Sequence, residues 1–463
     1  MDKHDLDMLL IDPPWAISKG NIWKEIVSCM PKLGPAYIAA YLEKTGHHVK
    51  ILDCPAERIT LESLPEKLKE YDAPRFVGIT SNTVVIGNAI KTAEMCKARW
   101  PNVKVVMGGI HPTVLPDEVL SSDFVDFVVR GEGEITTYEL ITNNPAKEIP
   151  GLSFKSNGIV HNPPRPPIKD LDSLPYPAYH LLPMKKYSPA TGSYKRLPVM
   201  GIFTTRGCPG RCTYCYPKGM LRKRSAKNIM GEIKILMNEY GIKEISFYDD
   251  TFTVFKDNVK ELCSIIIDEG IDVTWSCFAR VDFIDEELLS IMKKAGCHQI
   301  KYGIESADEQ ILKNINKRIN LDQVGGAIAL TKKVGITAVG AFMFGNPGET
   351  EETIQKNIDF AIELDLDEAV FNITTPFPGT EMFKWAKEKG HLITEDWSKY
   401  NLSTVVMNLP TIESECIKKY YKIAYRRFYM RPRYIIERLS RIKSFVELKE
   451  NMNAFFSILH AFK

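Results

Sequence analysis

The chain lacks any apolar run of the ~18–20 residues that a membrane span needs. It also lacks an excess of charge, with 60 Lys and Arg against 58 Asp and Glu in 463 residues. Such a balance argues against a polyelectrolyte, and nucleic acid is not an expected partner. The N-terminus, Met1-Asp2-Lys3-His4-Asp5, runs directly into a strand-like segment and offers no secretory leader. Without a leader, the ten cysteines point to thiols or metal ligands in a reducing, cytoplasmic setting rather than to disulfides. Neither GxGxxG nor a phosphate-loop lysine follows the first strand, which argues against the common nucleotide loops.

What is present is two successive runs of alternating strand and helix signals. In residues 1–145, strands are expected at 7–11, 48–52, 76–80, 103–107 and 124–129, with helices at 34–44 and 86–99 between them. Apolar strands alternating with helices imply an open, doubly wound parallel sheet, a Rossmann-like α/β domain. Residues 146–197 are dense in proline and read as a linker draped over a surface. Residues 198–385 carry six more strands, at 199–205, 244–248, 272–277, 299–303, 337–344 and 368–374. That order implies a (β/α)6 barrel of the TIM type, complete or partial, with its chemistry at the C-terminal strand ends. Residues 386–463 read as helical and basic. From 417 onward there are 12 Lys and Arg against 3 Asp and Glu, expected as a solvated helix face, with contact to an acidic partner, a membrane surface or nucleic acid as the alternative for this tail alone.

At the end of the first barrel strand lies Thr205-Arg206-Gly207-Cys208-Pro209-Gly210-Arg211-Cys212-Thr213-Tyr214-Cys215. Three soft thiolates within eight residues suit one iron–sulfur cluster and leave one iron without a protein ligand. A zinc site would want a fourth ligand in paired spacing, and no further cysteine or histidine lies nearby. Gly207 and Gly210 let the loop turn tightly.

This CxxxCxxC loop, with an aromatic residue before its third cysteine, resembles the hallmark of the radical S-adenosylmethionine (SAM) superfamily. The resemblance implies that Cys208, Cys212 and Cys215 hold a 4Fe–4S cluster whose open iron is chelated by SAM. It further implies reductive cleavage of SAM to a 5′-deoxyadenosyl radical, with an electron donor such as ferredoxin or flavodoxin. By the same resemblance Tyr214 lies beside SAM. Asp249 or Asp250, in Phe247-Tyr248-Asp249-Asp250, receives its amino group. Ser276 and Arg280 meet its ribose and carboxylate, and Glu305 in Gly303-Ile304-Glu305-Ser306 meets ribose or substrate.

The N-terminal domain resembles the cobalamin-binding domain fused to many radical SAM proteins. Doubly wound sheets bind ligands beyond the carboxyl ends of their strands. The matching strand ends here are Thr80, Ser81, Asn82, Thr83 and Val84; Gly108, Gly109, His111, Pro112 and Thr113; and Gly131, Glu132, Gly133 and Glu134. No DxHxxG motif is present, so no histidine supplies the lower cobalt ligand in the usual way. His111 falls in the loop matching the nucleotide tail, and Thr83, Val84 or Val85 is expected beneath the cobalt.

Taken together, the resemblance implies a cobalamin-dependent radical SAM methyltransferase acting on an unactivated carbon through the deoxyadenosyl radical and methylcobalamin. A peptide or protein side chain is the expected substrate. A ring-forming or oxidative cyclase, such as the anaerobic cyclase of chlorophyll synthesis, shares these motifs. A non-catalytic cobalamin or redox sensor is a third reading, against which the intact cysteine loop speaks. Methylthio transfer would want a second cluster, and Cys29, Cys54 and Cys96 are too scattered to supply it.

Overall fold

Met8–Asp12 (β1, sequence MLLID) is buried along its whole length. That is the expected state of a central parallel strand covered on both faces. Around it the computed structural model, which describes residues 6–15, 28–190, 192–216 and 219–441, forms two compact units.

The first unit comprises β1, Cys29–Tyr187 and a returning segment, Asp396–Tyr400. Its strands are β1, Val49–Asp53 (β2), Phe76–Thr80 (β3), Lys104–Gly108 (β4), Phe127–Val129 (β5), Leu152–Ser156 (β6) and Gly158–His161 (β7). The sheet runs β2-β1-β3-β4-β5-β6-β7. β1 to β5 are parallel, and β6 and β7 add antiparallel to that edge. The order reverses at β1, which opens the crevice between β1 and β3 where such sheets bind ligands. The helices Leu33–Lys44 and Ile86–Arg99 were expected almost to the residue.

Residues 146–161 are more than the expected linker. Leu152 and Phe154 are buried, and Ser156 pairs with Gly158 across a tight turn. Lys155-Ser156-Asn157-Gly158 carries an Asn-Gly hairpin signal, overshadowed in the sequence by the prolines that follow.

The second unit takes Ser188–Glu395 and the chain from Asn401. Its parallel strands are Val199–Ile202 (β8), Glu244–Phe247 (β11), Thr274–Ala279 (β12), Cys297–Glu305 (β13), Thr337–Phe344 (β14) and Glu368–Ile373 (β15). They lie side by side in chain order, and among the described residues β8 and β15 do not pair with each other, so the barrel is partial. Between β8 and β11, Thr205–Arg206 (β9) and Arg222–Lys223 (β10) form a short antiparallel pair that brackets the cysteine loop. Caps fix where the helices begin. Ser225 accepts from Asn228 N, Asp285 from Leu288 N, and Asn320 and Thr350 form reciprocal capping boxes.

After the helix Glu381–Glu388 the chain is mostly irregular, with one short turn of helix at Trp397–Lys399, until the C-terminal helices Ser414–Tyr429 and Pro432–Arg441. The basic tail beyond 441 lies outside the described residues. No helix among the described residues is long and apolar enough to cross a membrane.

Candidate cofactor and active site

The cysteine loop is pinned at its base by one carboxylate. Asp249, just past β11 and 1% exposed, accepts from Thr204 N and Thr204 Oγ1 at 2.9 Å each, from Thr205 Oγ1 at 2.6 Å, and from Thr205 N. Burial pushes its carboxyl up to about 6, and these bonds draw it back. Every oxygen of Asp249 is thus engaged in holding the strand that leads into the loop. Asp250, the other carboxylate expected near the SAM amino group, is exposed.

The rest of the loop is tied down through its backbone. Thr213 N donates to Ile315 O at 3.0 Å, Asn316 Nδ2 to Arg211 O at 2.7 Å, and Met382 N to Thr213 O at 2.9 Å. A Cβ on Gly207 (φ +97°) would stand 2.7 Å from Met220 O, so only glycine lets β9 and the following loop meet β10. A Cβ on Gly210 would stand 3.4 Å from Cys208 Sγ and 3.8 Å from Cys212 Sγ. A Cβ there would meet both thiols and Arg280 Nη1 at ordinary contact distance, so position 210 lies directly against the cysteine side chains. Cys208 and Cys212 are half-buried and Cys215 is exposed. Among the described residues, no three His, Cys, Asp or Glu side chains gather as ligands of a single ion would.

Beside the loop stands an arrangement that sequence reasoning half anticipated. Glu305 Oε1 accepts from Tyr214 Oη at 3.0 Å and from Lys317 Nζ at 2.7 Å. Lys317 and Glu305 are 5% and 8% exposed. Glu305 has a left-handed backbone (φ 69°), and the β13–β14 register shifts there. Strain of that kind at a strand end marks a site that the surrounding fold over-determines. Burial, then the Glu305 charge, hold the Tyr214 phenol well above its ordinary value. Lys317 was not expected.

Arg280 at the end of β12 makes a two-pronged pair with Asp282, at 3.0 and 2.9 Å, and its Nη2 also donates to Lys317 O at 3.1 Å. Ser276, buried, shares a 3.3 Å contact with Ser246 on β11. Tyr214, Glu305 and Arg280 are therefore brought together around the loop, linked through Lys317. Ser276 lies lower in the barrel.

A second unexpected lysine lies inside the barrel. Tyr302 on β13 bonds Thr331 on the outer helix at 2.7 Å. Lys301 takes the opposite, inward face and lies over the Phe278 ring at 5.3 Å. Burial holds Lys301 below the ordinary lysine value, and the Glu368 and Glu244 charges, both beyond ion-pair distance, offset part of that shift.

In the first unit the expected strand ends are adjacent, because β3, β4 and β5 are neighbours. Ser81 N donates to Gly108 O at 2.8 Å, Gly131 N to Thr113 Oγ1 at 3.0 Å, and Thr113 Oγ1 to Gly109 O at 2.7 Å. These bonds knit the three loops into one rim. Gly109 (φ +104°) lies so close to Ser81 that any Cβ would collide with that backbone. Gly109, Asn82 and Gly131 are exposed, Thr80, Val84, Gly108, Thr113, Glu132 and Gly133 are half-buried, and Ser81, Thr83, His111, Pro112 and Glu134 are buried. A rim of bare glycine and small hydroxyl residues suits close approach of a large cofactor. Glu132 faces elsewhere, accepting from Ile168 N at 2.8 Å.

Comparison with known proteins accounts for both units. Residues 202–361 match the radical SAM superfamily, and residues 22–141 match the B12 binding domain. An uncharacterized methyltransferase of Pyrococcus horikoshii is 39% identical over 451 residues, 95% of this chain and 96% of that protein. The anaerobic magnesium-protoporphyrin IX monomethyl ester cyclase of Rubrivivax gelatinosus is 29% identical, over 88% of this chain and 75% of the cyclase. Among solved structures, TsrM of Kitasatospora setae, a radical SAM methyltransferase with cobalamin and a 4Fe–4S cluster bound, superposes with a TM-score of 0.72 at 16% identity, covering 98% of this chain and 99% of that one. With both domains present in order and one relative alike from end to end, the chain belongs to the cobalamin-dependent radical SAM family, whose cofactors are a 4Fe–4S cluster, SAM and cobalamin.

Proposed function

We propose that this chain is a C-methyltransferase that places a methyl group on an unactivated carbon, with Cys208, Cys212 and Cys215 holding the cluster. One observation carries the reading: the cysteine loop, Tyr214, Glu305, Lys317 and Arg280 converge in a chain that also carries the glycine-lined rim of the first unit. When bound, the cluster supplies the electron that breaks SAM, and the corrinoid carries the methyl group. An external donor such as ferredoxin or flavodoxin replenishes that electron.

The protein's own residues do the positioning. Asp249 fixes the loop through Thr204 and Thr205, which leaves Asp250 as the carboxylate for the SAM ammonium. Arg280, held flat by Asp282, offers the SAM carboxylate its remaining guanidinium edge. Glu305, oriented by Lys317, takes a ribose hydroxyl. Holding the reacting groups in fixed alignment is what such a site contributes. Lys301 over Phe278 supports a substrate bearing an acidic group, alongside the Glu368 and Glu244 carboxylates that already act on this ammonium from beyond ion-pair distance. A peptide or protein side chain next to an acidic group is the substrate class we favour.

The test is a product count with protein purified without oxygen and reconstituted with iron, sulfide and hydroxocobalamin. Methyl transfer consumes two SAM per turnover and yields S-adenosylhomocysteine and 5′-deoxyadenosine together. The cyclase relative favours a second reading, ring formation. That reaction gives 5′-deoxyadenosine without S-adenosylhomocysteine, and this result would overturn the methyltransferase reading.

A further inference from the structure

We propose that Trp397, from the segment returning after the barrel, is a positioning residue of the corrinoid site and acts through Glu118 and His111 on Thr83. The proposal rests on the reading of the first unit as the cobalamin domain. The segment Asp396–Tyr400 belongs to that unit. Asp396 caps its turn by accepting from Ser398 N at 3.2 Å and Ser398 Oγ at 2.7 Å. Tyr400 is fully buried, and its ring lies 5.0 Å from that of Trp397. Trp397 itself packs on the core that contains Ile86, Ala89, Val119 and Leu120. These contacts make the segment an integral part of the domain.

From Trp397 a chain of contacts leads to the rim. Its Nε1 donates to Glu118 Oε1 at 2.7 Å. The same oxygen stands 3.6 Å from His111 Nε2. The indole meets the imidazole edge-on, with centroids 5.6 Å apart at 67°. His111 Nδ1 lies 3.4 Å from Thr83 Oγ1. Both polar contacts of His111 are long, so they are weak as hydrogen bonds. The imidazole is therefore held chiefly by burial, at 0% exposed, and by the Trp397 ring.

The charge pattern then sets the direction of each proton. A neutral imidazole has one donor nitrogen and one acceptor. With the hydrogen on Nε2, the nitrogen nearer the Glu118 carboxylate, Nδ1 is left as the acceptor. The Thr83 hydroxyl donates to it, so the oxygen's remaining lone pair is turned away from His111. Thr83 lies in the loop after β3, between Ser81 of the glycine-lined rim and the helix Ile86–Arg99. Trp397 thus holds in place the ring toward which the Thr83 hydroxyl is turned.

The experiment uses the full-length chain with Trp397→Phe, Trp397→Ala and Thr83→Val. The readouts are equilibrium binding of hydroxocobalamin and, after one-electron reduction, the electron paramagnetic resonance spectrum of the bound Co(II), which reports its axial surroundings. Trp397→Ala is expected to weaken hydroxocobalamin binding by about tenfold. Trp397→Phe keeps a ring but loses the N–H. It is expected to bind within about threefold of the parent chain while sharing an altered Co(II) spectrum with Thr83→Val. Iron content should be unchanged in all three. Parent-like affinity in Trp397→Ala would overturn the proposal. So would parent-like spectra in both Trp397→Phe and Thr83→Val, which would reduce Trp397 to packing. Failure of the unaltered chain to bind hydroxocobalamin is a different result, and it would remove the cobalamin reading itself.

Discussion

Lys317 Nζ lies 2.7 Å from Glu305 Oε1, and both side chains are almost wholly buried. Glycine at position 303 leaves the pair its room. A Cβ there would stand 2.5 Å from Glu305 Oε1 and 2.9 Å from Lys317 Nζ. Removing one partner of such a pair strands the other charge, typically at about 3–5 kcal/mol. Lys317→Met is therefore expected to lower stability by that order, measured by denaturant unfolding. Adding Glu305→Gln should restore most of the stability. It should not restore SAM affinity, measured by equilibrium dialysis, if Glu305 contacts SAM.

The cysteine loop makes a separable prediction. Replacing Cys208, Cys212 and Cys215 by Ala should abolish iron binding and 5′-deoxyadenosine formation while leaving hydroxocobalamin binding intact. Residual reductive cleavage of SAM in that variant would show that the cluster lies elsewhere.

Asp249→Asn tests the clamp at the base of the loop. Asparagine keeps the oxygen that takes both backbone N–H groups and turns its amide toward the Thr204 hydroxyl, which must then accept instead of donate. Exchanging bonds to a carboxylate for neutral ones costs on the order of 1 kcal/mol. Reconstituted iron per chain should fall, although residue 249 lies outside the cysteine loop itself. A variant that holds a full cluster would relieve Asp249 of this role.

Glu349 supplies a pH dependence. It is fully buried and accepts from Asn346 N at 3.0 Å and from Gly345 N. Burial pushes its carboxyl up from 4.5 to about 8. An acid whose value rises on folding stabilises the fold while protonated. Its contribution is complete below pH 4.5 and is lost as pH climbs through about 8. The melting temperature should fall across that window, and Glu349→Gln should flatten the fall.

Gly109→Ala is expected to damage the cobalamin rim. The left-handed backbone and the clash with Ser81 together cost on the order of 1–3 kcal/mol. Hydroxocobalamin affinity should drop, with iron content unchanged. Gly87→Ala, where a Cβ meets nothing within 4 Å, is the control and should be neutral or stabilising.

Much of this architecture was legible from local pattern. Thr337–Phe344 was expected to the residue because its run of apolar residues after Thr337 is unbroken, although Ala341 and Met343 on one face are only half-buried. The cysteine spacing and the glycine pairs at strand ends are local signals too. Lys317 was not legible, because it reaches Glu305 only through a turn in which Asn316 and Arg318 take left-handed backbones (φ 53° and 56°). Asp249 and Asp250 are adjacent in sequence, and only burial distinguishes the clamp from the exposed acid. Trp397 lay still further from view, since no local pattern ties it to residues almost three hundred positions earlier.

The return of Asp396–Tyr400 to the first unit also sets an order of events during synthesis. Domains ordinarily fold as they emerge, the N-terminal one first. Here the unit begun first is the one left waiting: its sheet can form on the ribosome, yet Trp397 and Tyr400 reach it only after every strand of the barrel has been made.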